Sequence, residues 1–143
     1  MKRYLLILFF SLALTNCSIN SNDTNQPQVI TVYWNLVNVS GGVSGVDIDY
    51  DTGDIVWLFD EVNTMLTVTN TNTDDALEDG LESGTYPYSV IDNGSDLFLS
   101  INETEFGSFT VSGNQLIIDQ NITTGGTGAD GYVYTFQKTT VIE

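Results

Sequence analysis

In this 143-residue chain, the side chains whose spacing most resembles a known binding site are acidic. Four of them lie close together in sequence: Asp47, Asp49, Asp51 and Asp54. The first three stand at every second position, as in the opening of a calcium loop. An EF-hand loop also needs Gly at its sixth position and Glu at its twelfth. Thr52 and Leu58 stand there. The pattern favours a solvated acidic loop, and a calcium site is the weaker alternative.

A second acidic cluster lies between two predicted strands, and it has the same interpretation as a solvated surface. Its members are Asp74, Asp75, Glu78, Asp79 and Glu82. Paired carboxylates about 5–9.5 Å apart could serve glycoside hydrolysis, but the short connections leave little room for a sugar cleft. The chain has no His, which excludes a His general base, a Ser-His-Asp relay and His metal ligands. We expect neither enzyme activity nor a cofactor.

The charge balance excludes further classes of function. The chain carries 19 Asp and Glu residues against 3 Lys and Arg, a formal net charge of −16. Nucleic-acid binding relies on Lys and Arg to neutralise phosphates, and docking to anionic lipid relies on the same side chains. We therefore expect no nucleic-acid partner and no electrostatic attraction to anionic membranes.

Cys17 is the one nucleophile with an informative context, and it is the single cysteine of the chain. Lys2 and Arg3 precede an apolar run, Tyr4–Leu14, that is too short for the about 20 residues of a membrane-spanning helix. This arrangement is typical of a secretory signal. Leu14-Thr15-Asn16-Cys17 resembles the bacterial lipobox, in which the thiol is alkylated by a diacylglyceryl group. An ordinary cleaved signal beside an incidental cysteine is the alternative.

The lipobox interpretation divides the chain into three parts. Residues 1–16 are the predicted signal peptide, 17–29 the lipidated Cys17 and a polar tether, and 30–143 a single domain. Removal of the signal would leave 127 of the 143 residues, with Lys138 as the single basic side chain. The predicted location is the bacterial envelope, anchored by lipid in the outer membrane, and the side faced is undecided.

From Ile30 onward, apolar residues alternate with polar ones, which is typical of strands with one buried face. The alternation predicts eight strands: Ile30–Ser40, Asp54–Asp60, Thr64–Asn70, Gly84–Ile91, Asp96–Ile101, Gly107–Ser112, Gln115–Asn121 and Tyr132–Lys138. Asn93-Gly94 is a strong hairpin signal, and Asn102–Glu105 and Ser112–Asn114 are short connections of the same kind. Residues 41–53, 71–83 and 122–131 are longer, and Asp74–Gly80 could form one helical turn at most.

Short links favour an antiparallel up-and-down meander, and an apolar stripe on each strand favours its closure into an eight-stranded barrel. A two-sheet β-sandwich is the alternative. The interior could be filled by side chains or hold one small ligand. The aromatic candidates for lining such a site are Trp34, Trp57, Phe59, Tyr86, Tyr88, Tyr132, Tyr134 and Phe136. Because aromatic residues fill the core of most small β-domains, core packing is favoured over a cavity.

Several stretches together resemble the lipocalin-like lipoproteins of Bacteroidetes-type bacteria. They are Val32-Tyr33-Trp34-Asn35-Leu36-Val37 followed by Ser40-Gly41-Gly42, then Gly45-Val46-Asp47, Ile55–Phe59, Gly84–Tyr88 and Gln115–Gln120. The resemblance implies a barrel over Ile30–Lys138. In lipocalins a basic residue near the last strand packs over the first-strand Trp, which implies that Lys138 covers Trp34.

Two functions follow as hypotheses. One is a membrane-anchored barrel that binds a small apolar or amphipathic ligand. The other is a structural or protein-interaction lipoprotein whose barrel is packed solid and holds no ligand. A cavity on the order of 300–1,000 Å³ would favour the first.

Overall fold

The computed structural model describes residues 28–142, which form an all-β structure. Its strands are β1 (Ile30–Gly41), β2 (Val46–Asp49), β3 (Ile55–Asp60), β4 (Met65–Asn70), β5 (Gly84–Asp92), β6 (Leu97–Ile101), β7 (Thr104–Ser112), β8 (Gln115–Asp119), β9 (Ile122–Thr123), β10 (Gly126–Thr127) and β11 (Tyr132–Ile142). The predicted signal, Cys17 and most of the tether lie outside the described residues. Within residues 28–142, no helix is long and apolar enough to cross a membrane.

Eight of these strands close into an antiparallel barrel. The order of neighbours is β1-β3-β4-β5-β6-β7-β8-β11, and β11 pairs again with β1. That last ladder extends from the Ile30–Ile142 pair to the Gly41–Tyr132 pair. Because the sheet closes on itself, the barrel prediction is confirmed and the two-sheet sandwich is wrong.

β1 pairs with three other strands. One of its edges pairs with β11 along its length, and its other edge pairs with β3 at Trp34–Trp57 and Asn35–Val56, then with β2 from Asn38 to Gly41. A bulge between Leu36 and Asn38 shifts the alternation. The shift turns Val39 into the core, where it is fully buried together with Leu36.

The two ends of the barrel differ. At one end, here called the hairpin end, lie the short β3–β4, β5–β6 and β7–β8 turns, the start of β1 and the end of β11. The long connections, residues 71–83 and 120–131, lie at the other end with the turns around β2, and this is called the loop end. Consecutive antiparallel strands alternate in direction, so successive connections lie at opposite ends of the barrel. The long connections are therefore gathered at one end, and the other end has only short ones.

Most predicted strand bounds hold to within a few residues, but four details of the prediction were wrong. The strand β2 lies inside the predicted loop 41–53. β7 begins at Thr104, because Asn102 and Glu103 with φ of 51° and 64° make a two-residue turn. β8 ends at Asp119, and a small β9–β10 ladder follows it. β11 continues to Ile142, since the start of β1 supplies its partner.

Candidate functional site

An apolar cavity of about 370 Å³ occupies the hairpin end of the barrel interior. Seven of the eight barrel strands and the turn after β3 contribute side chains that point inward. They are Val32, Trp34, Phe59, Glu61, Tyr88, Val90, Leu99, Phe109, Val111, Leu116, Ile118 and Lys138. The volume lies near the lower limit of the range that small-molecule sites occupy.

Trp34 sits at the centre of a row that crosses three strands. In the ladders it pairs with Lys138 of β11 on one side and with Trp57 of β3 on the other. Directly paired residues in antiparallel strands project from the same face, so all three side chains face the interior. Trp57 is fully buried, whereas Trp34 and Lys138 are half-buried and line the cavity. The row therefore marks the boundary between packed core and cavity.

The cavity has a small polar contribution on an otherwise apolar wall. Lys138 and Glu61 are its two charged lining residues. Burial raises the pKa of Tyr88, and the carboxylates of Glu61 and Asp60 raise it further, so its hydroxyl remains a neutral hydrogen-bonding group. Phe59 and Tyr88 pack edge-on with ring centroids 5.1 Å apart. The site thus combines an apolar body with one cation and one anion.

The loop end is closed by the connection that follows β4. Tyr134 donates a hydrogen bond from its hydroxyl to Glu78 Oε1 at 2.8 Å, and Tyr50 donates from its hydroxyl to the Glu78 carbonyl oxygen at 2.8 Å. Gly80, with φ of +89°, lies over the rings of Tyr134 and Trp57. Burial raises the pKa of Tyr134, and the hydrogen bond with Glu78 raises it further. The connection is thus fastened as a plug, and the cavity opens at the opposite end.

Aromatic rings fill the barrel beneath this plug. Trp57 is central, with ring centroids 4.8 Å from Phe136, 5.8 Å from Phe106 and 6.2 Å from Phe59. Phe106 enters because a bulge between Leu99 and Ser100 shifts the β6–β7 register. Trp57 Nε1 is buried, and no hydrogen-bond partner for it lies among residues 28–142.

The structure divides the eight predicted aromatic candidates into two groups. Trp34, Phe59 and Tyr88 line the cavity. Trp57, Tyr134 and Phe136 are buried in the packed half, and Tyr86 and Tyr132 are half-buried against the same core. Both interpretations of the aromatic set, core packing and cavity lining, therefore apply, each to a different half of the barrel.

Half of the twelve residues that line the cavity are aliphatic, and none of these six was among the predicted site residues. Its aliphatic members are Val32, Val90, Leu99, Val111, Leu116 and Ile118. Apart from Val32, all of them belong to the alternating apolar stripes that favoured a closed barrel. The overlooked signal was their nearness to the short hairpins. Glu61 had no signal of its own, because it follows the end of β3.

The barrel wall is split beside the cavity. Beyond the Trp34–Trp57 pair, residues 30–33 of β1 have no ladder to β3 within the described chain. A groove of about 610 Å³ lies in this split, between residues 29–32 and 58–62. It shares Val32, Phe59 and Glu61 with the cavity, so the two are neighbouring parts of one apolar region.

The acidic residues that suggested a calcium site form hydrogen bonds within the protein. Asn38 donates from Nδ2 to Asp47 Oδ1 at 2.8 Å and to Asp49 Oδ1 at 3.0 Å. Asp54 donates its backbone N–H to the carbonyl oxygen of Asp51, which closes the following turn. Nowhere in residues 28–142 do three or more His, Cys, Asp or Glu side chains converge as a metal site would require.

Comparisons with protein-family models, with curated proteins and with solved structures find no match to this chain. Function is therefore inferred from the barrel and its cavity.

Proposed function

We propose that this protein is a membrane-anchored lipoprotein of the bacterial envelope whose barrel binds a small apolar or amphipathic molecule. The observation that carries the proposal is the cavity of about 370 Å³ at the hairpin end. The interior is packed tightly around Trp57 at one end and has an open apolar cavity at the other. This arrangement leaves space for a ligand. Filling such a space removes apolar surface from water at about 25 cal/mol per Å².

The lining favours an elongated ligand with an apolar body and a polar head. Aliphatic and aromatic side chains surround the body, and Lys138 supplies the single cation on the wall. An anionic head such as a carboxylate would lie beside Lys138 and away from Glu61. A neutral head could instead use the Tyr88 hydroxyl, which stays protonated at ordinary pH.

The rival hypothesis, a structural lipoprotein with a solid barrel, is supported by the packed half alone. In that half Trp57, Tyr134 and Phe136 are buried and leave little room for a ligand. It gives no reason for the uncovered apolar wall, which is why ligand binding is the preferred function.

A variant that fills the mouth tests the proposal. Val111 lines the cavity and is 53% exposed, so Val111→Trp can cover the mouth with little strain on the core. Val141→Trp is the matched control, since Val141 is 46% exposed on the same end but does not line the cavity. Residues 18–143 are titrated with the neutral fluorescent probe N-phenyl-1-naphthylamine. We expect saturable binding to the parent and to Val141→Trp, and at least about tenfold weaker binding to Val111→Trp. Equal binding by all three, or by none, would contradict the proposal.

The anchor is tested separately. Cys17→Ala in the full chain should release the protein from the membrane fraction and abolish labelling by a radioactive or clickable fatty acid. Asn16→Gly, which leaves Cys17 in place, is the control and should keep both. Unchanged fractionation and labelling of the alanine variant would refute lipidation of Cys17.

A further inference from the structure

Exposed apolar side chains gather at the hairpin end, around the mouth of the cavity. Among residues 28–142, nine of the twelve exposed large hydrophobic residues lie there: Val29, Ile30, Val62, Val90, Ile91, Leu97, Val111, Val141 and Ile142. Val62, in the β3–β4 turn, is 92% exposed. Single exposed apolar residues are ordinary, whereas a ring of them around one opening marks an interaction surface. This ring is called the apolar rim.

Acidic side chains are concentrated at the loop end, opposite the apolar rim. Of the seventeen Asp and Glu residues within 28–142, thirteen belong to the loop end, and the hairpin end has four: Asp60, Glu61, Asp92 and Asp96. Lys138 lies on the hairpin side as well. The barrel is therefore polarised, with a strongly acidic end that is costly to remove from water and an apolar end that is not.

The chain also enters the barrel at the apolar rim. β1 begins at Ile30, so the described chain enters the barrel beside the mouth, and Cys17 precedes this entry point by 13 residues in sequence. Strands tilted at about 35–45° make a 12-residue β1 stand about 30 Å tall. The eleven residues from Ser18 to Gln28 reach at most about 40 Å when fully extended. Placing the loop end on the membrane would use most of that length.

We infer that the barrel docks mouth-first on the membrane, with the apolar rim inserted into the headgroup layer of zwitterionic phospholipid and the acidic loop end directed into water. The ligand class that follows is a lipid or a single-chain amphiphile that passes between bilayer and cavity without crossing water. The split between β1 and β3, which opens onto the same rim, lets part of a longer chain lie outside the cavity. The orientation rests on the anchor in the proposed function but does not need the cavity to be filled.

Two valines at opposite ends allow a matched test. Val62 is 92% exposed in the turn at the hairpin end, and Val43 is 86% exposed in the turn after β1 at the loop end. The full chains carrying Val62→Cys or Val43→Cys are labelled with an environment-sensitive fluorophore and reconstituted into phosphatidylcholine vesicles. The parent chain is labelled in parallel and corrects for any dye on Cys17. Some of the vesicles contain phosphatidylcholine with a nitroxide on its acyl chain, which quenches dye that reaches the lipid.

We expect quenching at position 62 to be at least about threefold stronger than at position 43, because an inserted apolar face lies about 5–10 Å into the boundary between headgroups and acyl chains. Adding Ile91→Asp and Ile142→Asp to the Val62→Cys chain should reduce that quenching while the protein still floats with the vesicles. Equal quenching at the two positions in protein that floats with the vesicles would overturn the orientation and leave the anchor intact. A chain that does not float with the vesicles would contradict the anchor and the orientation together.

Discussion

Trp34 and Lys138 lie directly opposite each other in the ladder between the first and last barrel strands, and both side chains line the cavity. The pair closes the barrel and at the same time brings the one cation among residues 28–142 to an otherwise apolar wall. The lipocalin resemblance implied that Lys138 covers Trp34. The register places the two side chains side by side, and a face-on cation–π contact between them stays a prediction.

Removing the charge of Lys138 should weaken the binding of anionic amphiphiles selectively. Lys138→Met keeps an apolar stem of similar length and deletes the ammonium. Because the side chain is half-buried, the lost attraction is worth about 1 kcal/mol, or about fivefold in Kd for a fatty acid. Competition against N-phenyl-1-naphthylamine measures this change, and the affinity of the neutral probe itself should stay within about twofold. Equal weakening for both molecules would show that Lys138 supports the wall and does not bind a head group.

The plug at the loop end predicts a loss of stability in alkali. Burial and the hydrogen bond with Glu78 hold the pKa of Tyr134 above its ordinary value of 10.0, so the folded state keeps this proton longer than the unfolded state does. The stabilisation is complete below about pH 10 and falls as the pH rises further, by up to about 1.4 kcal/mol per pH unit for this group. Urea unfolding of Tyr134→Phe between pH 8 and 11.5 should give a shallower decline than the parent. Parallel declines would mean that Tyr134 is not the group responsible.

Alternation along the chain was sufficient to predict the closed barrel and the interior face of most strands. Hairpin chemistry was equally informative at Asn93-Gly94, where Gly94 adopts φ of +90° and β5 turns into β6. The points at which the inward–outward alternation shifts were not predictable in this way. The bulge after Leu36 and the one after Leu99 each insert a residue whose position depends on the partner strand, so Val39 and Phe106 moved into the core without a local signal.

The β6–β7 irregularity predicts a glycine that cannot be replaced. A Cβ on Gly107 would lie 2.5 Å from the carbonyl oxygen of Asp119, and its φ is +148°. Gly94 is the control, with φ of +90° and no atom within 4 Å of its Cβ position. Gly94→Ala should cost about 1–2 kcal/mol from backbone strain, and Gly107→Ala at least about twice that, since β7 and β8 must also separate. Equal losses in the free energy of unfolding would contradict the close approach.

The candidate site was less predictable than the fold, for a geometric reason. Alternation assigns a residue to the inside or the outside of a barrel, but its height along the axis depends on strand stagger. Trp34 and Trp57 carry the same sequence signal, yet one faces the cavity and the other lies under the plug. The plug itself depends on Glu78, a surface carboxylate by every local criterion, whose partner Tyr134 is 56 residues away.

The two tryptophans, which are the only ones in the chain, allow the most direct measurement of ligand binding. Bromine quenches indole fluorescence at close range, so 12-bromododecanoic acid bound in the cavity should quench Trp34 and leave Trp57 largely unaffected. Trp57→Phe isolates the first signal and also removes a buried N–H that lacks a partner among residues 28–142, which offsets part of its packing cost. Trp34→Phe isolates the second signal. We expect saturable quenching in the parent and in Trp57→Phe, with little in Trp34→Phe. Absence of saturable quenching in the parent, or equal quenching of both tryptophans, would contradict a ligand site at the hairpin end.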